Sequence, residues 1–235
     1  MVAEAETSFT VAARRGSESV RTLAGTAVVT FVISSAWPLL TADAAELLGF
    51  EFSRDKQRYE VVSAAYIDVP PEGVYAVLTD YTQLHRISSL VVESADLGVD
   101  EDGRHLVFTH NEGCLALICR SLKKVEHLEV TPFSLVTTVA LPGRSDVEFS
   151  RSEWRLQREG RGTRMDYALV TDINFWVPPI IGNYMLSRWL EKGAGRAITR
   201  IEYYAWHELY GDKAPASATD VGPEAKETDQ AGQRP

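Results

Sequence analysis

Three side chains have the type and setting for proton transfer or charge stabilisation: Glu148, Arg151 and His110. Glu148 and Arg151 sit with Glu153 and Arg155 in a stretch that also carries Phe149 and Trp154. If Trp154 and Leu156 face an interior, strand alternation puts Glu148, Ser150 and Ser152 on the same face. An acid raised in pKa by burial there is a candidate for acid/base work. The alternative is a rim or solvent-facing salt bridge. The five histidines are His85, His105, His110, His127 and His207. His105 and His110 differ by five positions, which sends them to opposite sides of a strand. No G-x-S-x-G elbow, phosphate-binding loop, dinucleotide fingerprint or H-E-x-x-H motif occurs. Neither a cofactor nor a metal site is expected.

The two cysteines, Cys114 and Cys119, share one apolar run, residues 113–119. Read as one strand, that run separates them by roughly 16 Å with side chains on opposite faces. A bridge requires Cα atoms within about 7 Å. The expectation is two buried thiols packing as small hydrophobes.

The elements that must position these residues belong to a chain of 235 residues, 45% hydrophobic and 24% charged. That is globular composition. Lys and Arg total 24 against 33 Asp and Glu, a net charge of -9, which argues against nucleic acid as a partner. Residues 1–22 are expected to be disordered and end in a basic region with Arg14, Arg15 and Arg21. Residues 23–42 carry no charge, and Ala42-Asp43-Ala44 follows with small residues where a signal peptidase reads. Residues 23–44 thus read as a signal peptide, or as a retained anchor, since about 20 apolar residues span a bilayer. Either way the rest of the chain is expected outside the cytoplasm, periplasmic or extracellular. Two free thiols weigh against that location. The tail, 211–235, has no aromatic residue and is expected to be disordered.

The folded unit is then residues 51–210. A strand over 58–68 is broken by Pro70-Pro71, which open a helix over 72–79, with Asp80 capping a second short helix over 81–86. Strands are predicted over 90–97, 104–110, 114–125, 134–141, 147–158 and 163–174. Alternation is clearest in the last, where Met165, Tyr167, Leu169, Thr171, Ile173 and Phe175 share a face. From Pro178-Pro179 to Leu209 the apolar spacing is helical. Strands followed by one amphipathic helix indicate α+β architecture, a curved antiparallel sheet of about seven strands wrapped on a long C-terminal helix.

Three segments carry a resemblance. Residues 67–81, IDVPPEGVYAVLTDY, are similar to a strand-to-helix opening; 152–172 ends in a strand of the "W.L...G.GTR..Y.L" type; and 175–182, FWVPPIIG, leads into the final helix. Together they resemble the START-like (SRPBCC) superfamily, and within it the polyketide cyclase/dehydrase and coenzyme Q-binding group, over about residues 59–209. The resemblance implies the helix-grip fold and a cavity between sheet and helix for a lipid, quinone, sterol or polyketide. The side chains expected to line it are Phe108, Leu117, Trp154, Tyr167, Leu169, Phe175, Trp176, Met185 and Trp189. Residues 175–181 read either as a portal dipping into a membrane surface or as core packing. The leading expectation is binding or transport of a hydrophobic small molecule. The alternatives are a cyclase-type enzyme using Glu148, Arg151 and His110, and a membrane-associated interaction domain with a closed core.

Overall fold

The computed structural model describes residues 45–115, 118–173 and 182–211. The elements in chain order are β1 (Glu46–Asp55), β2 (Arg58–Ile67), α1 (Pro71–Thr79), β3 (Val91–Val99), β4 (His105–Leu115), β5 (Ile118–Thr131), β6 (Leu135–Ala140), β7 (Val147–Glu159), β8 (Gly162–Ile173) and α2 (Asn183–Tyr210). A 3-10 turn, Leu84–Arg86, stands where the second short helix is predicted. The eight strands form one antiparallel sheet in the order β1-β2-β8-β7-β6-β5-β4-β3. The eighth strand is β1, an edge strand whose alternation is interrupted by a register shift between Leu47 and Gly49.

The helices begin and hold where sequence chemistry places them. Pro71 opens α1, where its missing N–H costs nothing, and Glu72 lies in the first turn. Arg158 of β7 donates to both carboxylate oxygens of Glu72 at 2.8 Å. Glu202, buried on α2, accepts from the backbone N–H of Asp68 at 3.0 Å and of Ala45 at 3.1 Å. One carboxylate thus ties the helix to the β2–α1 connection and to the entry of β1. Burial pushes the Glu202 carboxyl up, and the two backbone donors oppose that shift.

The apolar core lies at one end of the grip. Ala65, Ile67, Val74, Val77, Leu156 and Met165 pack there against Ile198, Ile201 and Ala205 of α2. At the start of β8 a Cβ on Gly162 would meet the carbonyl oxygen of Ile67 and the hydroxyl of Tyr66, so only glycine allows this close approach. No such contact surrounds Gly193 or Gly195, so neither marks an approach of α2 to the sheet.

The cysteine expectation is corrected. Cys114 and Cys119 face each other across the β4–β5 hairpin and form a disulfide, with Cα atoms 3.9 Å apart. The run read as one strand is two, because the chain reverses between Leu115 and Ile118. The sequence there has none of the Gly, Pro, Asn or Asp residues that mark a hairpin turn.

Candidate ligand-binding site

The face of the sheet that meets α2 follows from the pairing register. Directly paired strand residues share a face, and neighbours along a strand point to opposite faces. Leu156 and Met165 pair within the core, so Trp154 with Tyr167 and Ser152 with Leu169 also face α2. Thr138 pairs with Ser152 and Leu128 with Thr138, which extends the same face to β5. Glu126, two residues from Leu128, pairs with Ala140 and faces α2 as well. So do Lys124 of β5 and Thr109 of β4, which pair with each other.

These residues form a polar cluster in the middle of the concave face. Lys124 donates to Glu126 at 2.9 Å, and Thr138 donates to the same carboxylate oxygen at 3.0 Å. Thr109 donates to the other oxygen at 3.4 Å. Because the Thr138 hydroxyl spends its proton on Glu126, the Ser152 hydroxyl, 2.8 Å away, donates to Thr138. Glu126 is 2% exposed. A carboxylate so desolvated is tolerable only with its cation and hydrogen bonds in place.

An aromatic wall adjoins the cluster. The rings of Trp154 and Tyr167 stack with centroids 4.0 Å apart and a 33° tilt. Burial, then the charge of Glu126, pushes the phenols of Tyr167 and Tyr81 well above the usual range. Tyr81 follows α1 and is itself buried. Trp154, Tyr167 and Leu169 lie on central strands beneath a helix, yet they are only half-buried.

Helix α2 packs on the sheet through its second half and reaches β4 through Trp189. Its second half packs on the apolar core. Near its start, Trp189 lies over β4, where a Cβ on Gly113 would come within 2.9 Å of the indole. The first half of α2 contains no fully buried side chain, and Tyr184 and Met185 are exposed.

Among the residues expected to line a cavity, the structure brings together Trp154, Tyr167 and Leu169, and sets Trp189 at the margin. Met185 is exposed on the first turn of α2. Phe108 is corrected. It pairs with Val125 on the face opposite Thr109 and Glu126, away from α2. Leu117, Phe175 and Trp176 lie outside the described residues, as does the segment 23–44. The three catalytic candidates do not meet. Glu148 sits at a register shift between Val147 and Phe149 and is exposed. Arg151 is on the outer face, 3.7 Å from Glu153. His110 shares Phe108's face, 2.7 Å from the Ser121 hydroxyl. Among the described residues no group of three or more His, Cys, Asp or Glu is placed to hold a metal.

Sequence reasoning missed Glu126, Lys124, Tyr81, Thr109 and Thr138 as parts of the site. One local signal was available: Lys124 and Glu126 are two apart, so they share a face, opposite that of Lys123.

The family model described as "Polyketide cyclase / dehydrase and lipid transport" matches residues 58–204. No curated protein sequence matches the chain. Among solved structures, the Zhui aromatase/cyclase from Streptomyces sp. R1128 is similar at 15% identity and a TM-score of 0.50, covering 67% of this chain and 99% of that one. Human STARD10 is similar at 14% identity and a TM-score of 0.50, covering 75% of this chain and 83% of that one. At such identities the likeness establishes the fold. The family match runs from the first residue of β2 into α2 and takes in every residue of the polar cluster and the aromatic wall. The chain belongs to the polyketide cyclase/dehydrase and lipid transport family, with the START-like fold.

Proposed function

We propose that this protein binds and carries a hydrophobic small molecule in the space between the sheet and α2. The observation that carries this reading is the state of the central strands. Trp154, Tyr167 and Leu169 keep accessible surface beneath a helix, beside a desolvated polar cluster. Apolar walls with a few convergent polar groups are the ordinary build of a ligand site. The cyclase-type reading loses the three residues it was built on, since Glu148, Arg151 and His110 all lie away from this interior. The test is native mass spectrometry of the full chain purified from its own cells. A co-purifying apolar molecule is expected. An empty chain that also takes up no lipid extract on incubation overturns the proposal.

The place of action is proposed to be outside the cytoplasm. The uncharged segment 23–42 with its basic flank supports this, and so does the Cys114–Cys119 disulfide, because disulfides persist in oxidising compartments. The free thiols that weighed against export are replaced by the feature export favours. Alkylation of intact cells followed by fractionation checks it. Both cysteines are expected to resist the reagent, in a chain found in the exported fraction. Alkylated cysteines in a cytoplasmic chain contradict the reading. Among the described residues no helix is long and apolar enough to cross a membrane. A membrane surface is proposed as the delivery partner, supported by exposed Tyr184 and Met185 immediately after the uncharged 175–182 sequence.

A further inference from the structure

Glu202 is a buried carboxylate held only by neutral donors. It lies on α2 at 9% exposure and accepts from the backbone N–H of Asp68 at 3.0 Å and of Ala45 at 3.1 Å. Among the described residues no Lys, Arg or His is paired with it. The side-chain charge it feels has the wrong sign: Asp68, itself held by Arg161 at 2.6 Å, pushes the Glu202 carboxyl further up. Desolvated carboxylates in native proteins are normally paired with a cation. Ala45 is the residue that follows Ala42-Asp43-Ala44, the small-residue pattern a signal peptidase reads. It is fixed from two sides. Its side chain packs against the apolar core, and its backbone nitrogen meets Glu202, one residue before β1 begins.

We propose that the chain is cut between Ala44 and Ala45, and that the α-ammonium so created is the cation of Glu202. This rests on the export reading above and decides between a removed leader and a retained anchor. Hydrolysis breaks the Ala44–Ala45 peptide bond with water as co-reactant. Water gives its oxygen to Ala44, as a carboxylate, and both its protons to the Ala45 nitrogen, as an ammonium. The nitrogen that stands 3.1 Å from Glu202 thus turns from a neutral donor into a charged one without moving. Ala45 is half-buried, so the other two N–H groups of the ammonium reach water. A charge-assisted hydrogen bond is roughly twice as strong as a neutral one. Processing is thereby coupled to the fold. In the cut chain an ion pair clamps the entry of edge strand β1 to α2, where an uncut chain has an amide hydrogen bond alone.

The test takes the full chain made in its own cells and recovers it from the exported fraction. Terminal sequencing is expected to start at Ala45. The α-amine is then acylated with acetic anhydride over a series of pH values, and the terminal peptide is read by mass spectrometry. A carboxylate beside an amine holds its proton on, so half-maximal reactivity is expected about one pH unit above that of the same chain unfolded in denaturant. At neutral pH this is roughly tenfold slower acylation. Steric cover alone slows the reaction without moving its titration point. Glu202→Gln, which keeps an acceptor and loses the charge, is expected to return the titration point to the unfolded value. Asp68, the other carboxylate facing the site, keeps its Arg161 partner in both chains. The comparison within the unaltered chain holds even where the variant does not fold. A start at another residue, an unshifted titration point in the folded chain, or a shift that survives Glu202→Gln overturns the proposal. An exported chain that retains residues 1–44 overturns it while export stands, and a cytoplasmic chain overturns both.

Discussion

Replacing Lys124 with methionine lowers the stability of the folded chain by about 3–5 kcal/mol, the usual cost of removing one partner of a buried ion pair. The Lys124 side chain is 14% exposed and that of Glu126 is 3% exposed, so water does not take the cation's place. Thr138 and Thr109 still donate to Glu126, but two neutral hydroxyls do not balance a full negative charge. The double variant Lys124→Met/Glu126→Leu removes both charges and is expected to recover most of the loss, since apolar residues of similar volume replace buried pairs with little penalty. Guanidinium unfolding of the two variants checks this. A loss below about 1 kcal/mol in the single variant, the range of exposed pairs, contradicts the burial of the cluster. A loss in the double variant as large as that in the single one contradicts the uncompensated Glu126 charge as its cause.

Ile201→Ala is expected to cost about 2–5 kcal/mol, measured by the same unfolding. Ile201 is fully buried on α2, in the cluster formed with Ala65, Ile67, Met165 and Val74. Truncation leaves a void among close-packed side chains that relax only partly. The contrast with the first half of the helix carries the argument. Trp189 is half-buried over Gly113 and stands outside the apolar cluster, so Trp189→Ala is expected to cost clearly less than Ile201→Ala despite removing a larger side chain. Equal losses at the two positions would mean that α2 is packed alike along its length and that no room exists beneath its first half.

The parts of the fold with strong local pattern were legible in the sequence. Pro70-Pro71 marks the start of α1, the 3.6-residue spacing of Ile198, Ile201 and Ala205 marks α2, and the period of two from Met165 to Thr171 gives the inner face of β8. Elements without such pattern were not legible. Strand β1 is an edge strand with a register shift, so its apolar residues alternate imperfectly. In β4 and β5 both faces are partly covered. On the outer face Leu106 and His127 are buried, with His127 2.9 Å from Asp100. With burial on both sides there is no polar face to read, which is why Phe108 was placed inward. The β4–β5 turn carries no turn residues, which hid the disulfide. The candidate site was half legible. Trp154 and Tyr167 belong to strands with clear alternation. Thr109, Glu126, Thr138 and Ser152 come from four strands and meet only through register, which no spacing in the sequence encodes.

The central claim is that the interior beneath the first half of α2 holds an apolar guest. Native mass spectrometry of the full chain and of Trp154→Ala, each incubated with the same lipid extract, tests it most directly. A bound species of defined mass is expected on the unaltered chain, released on activation in the gas phase, and lost or weakened by about tenfold in Trp154→Ala. A bare chain, or a guest retained equally by both proteins, would contradict it.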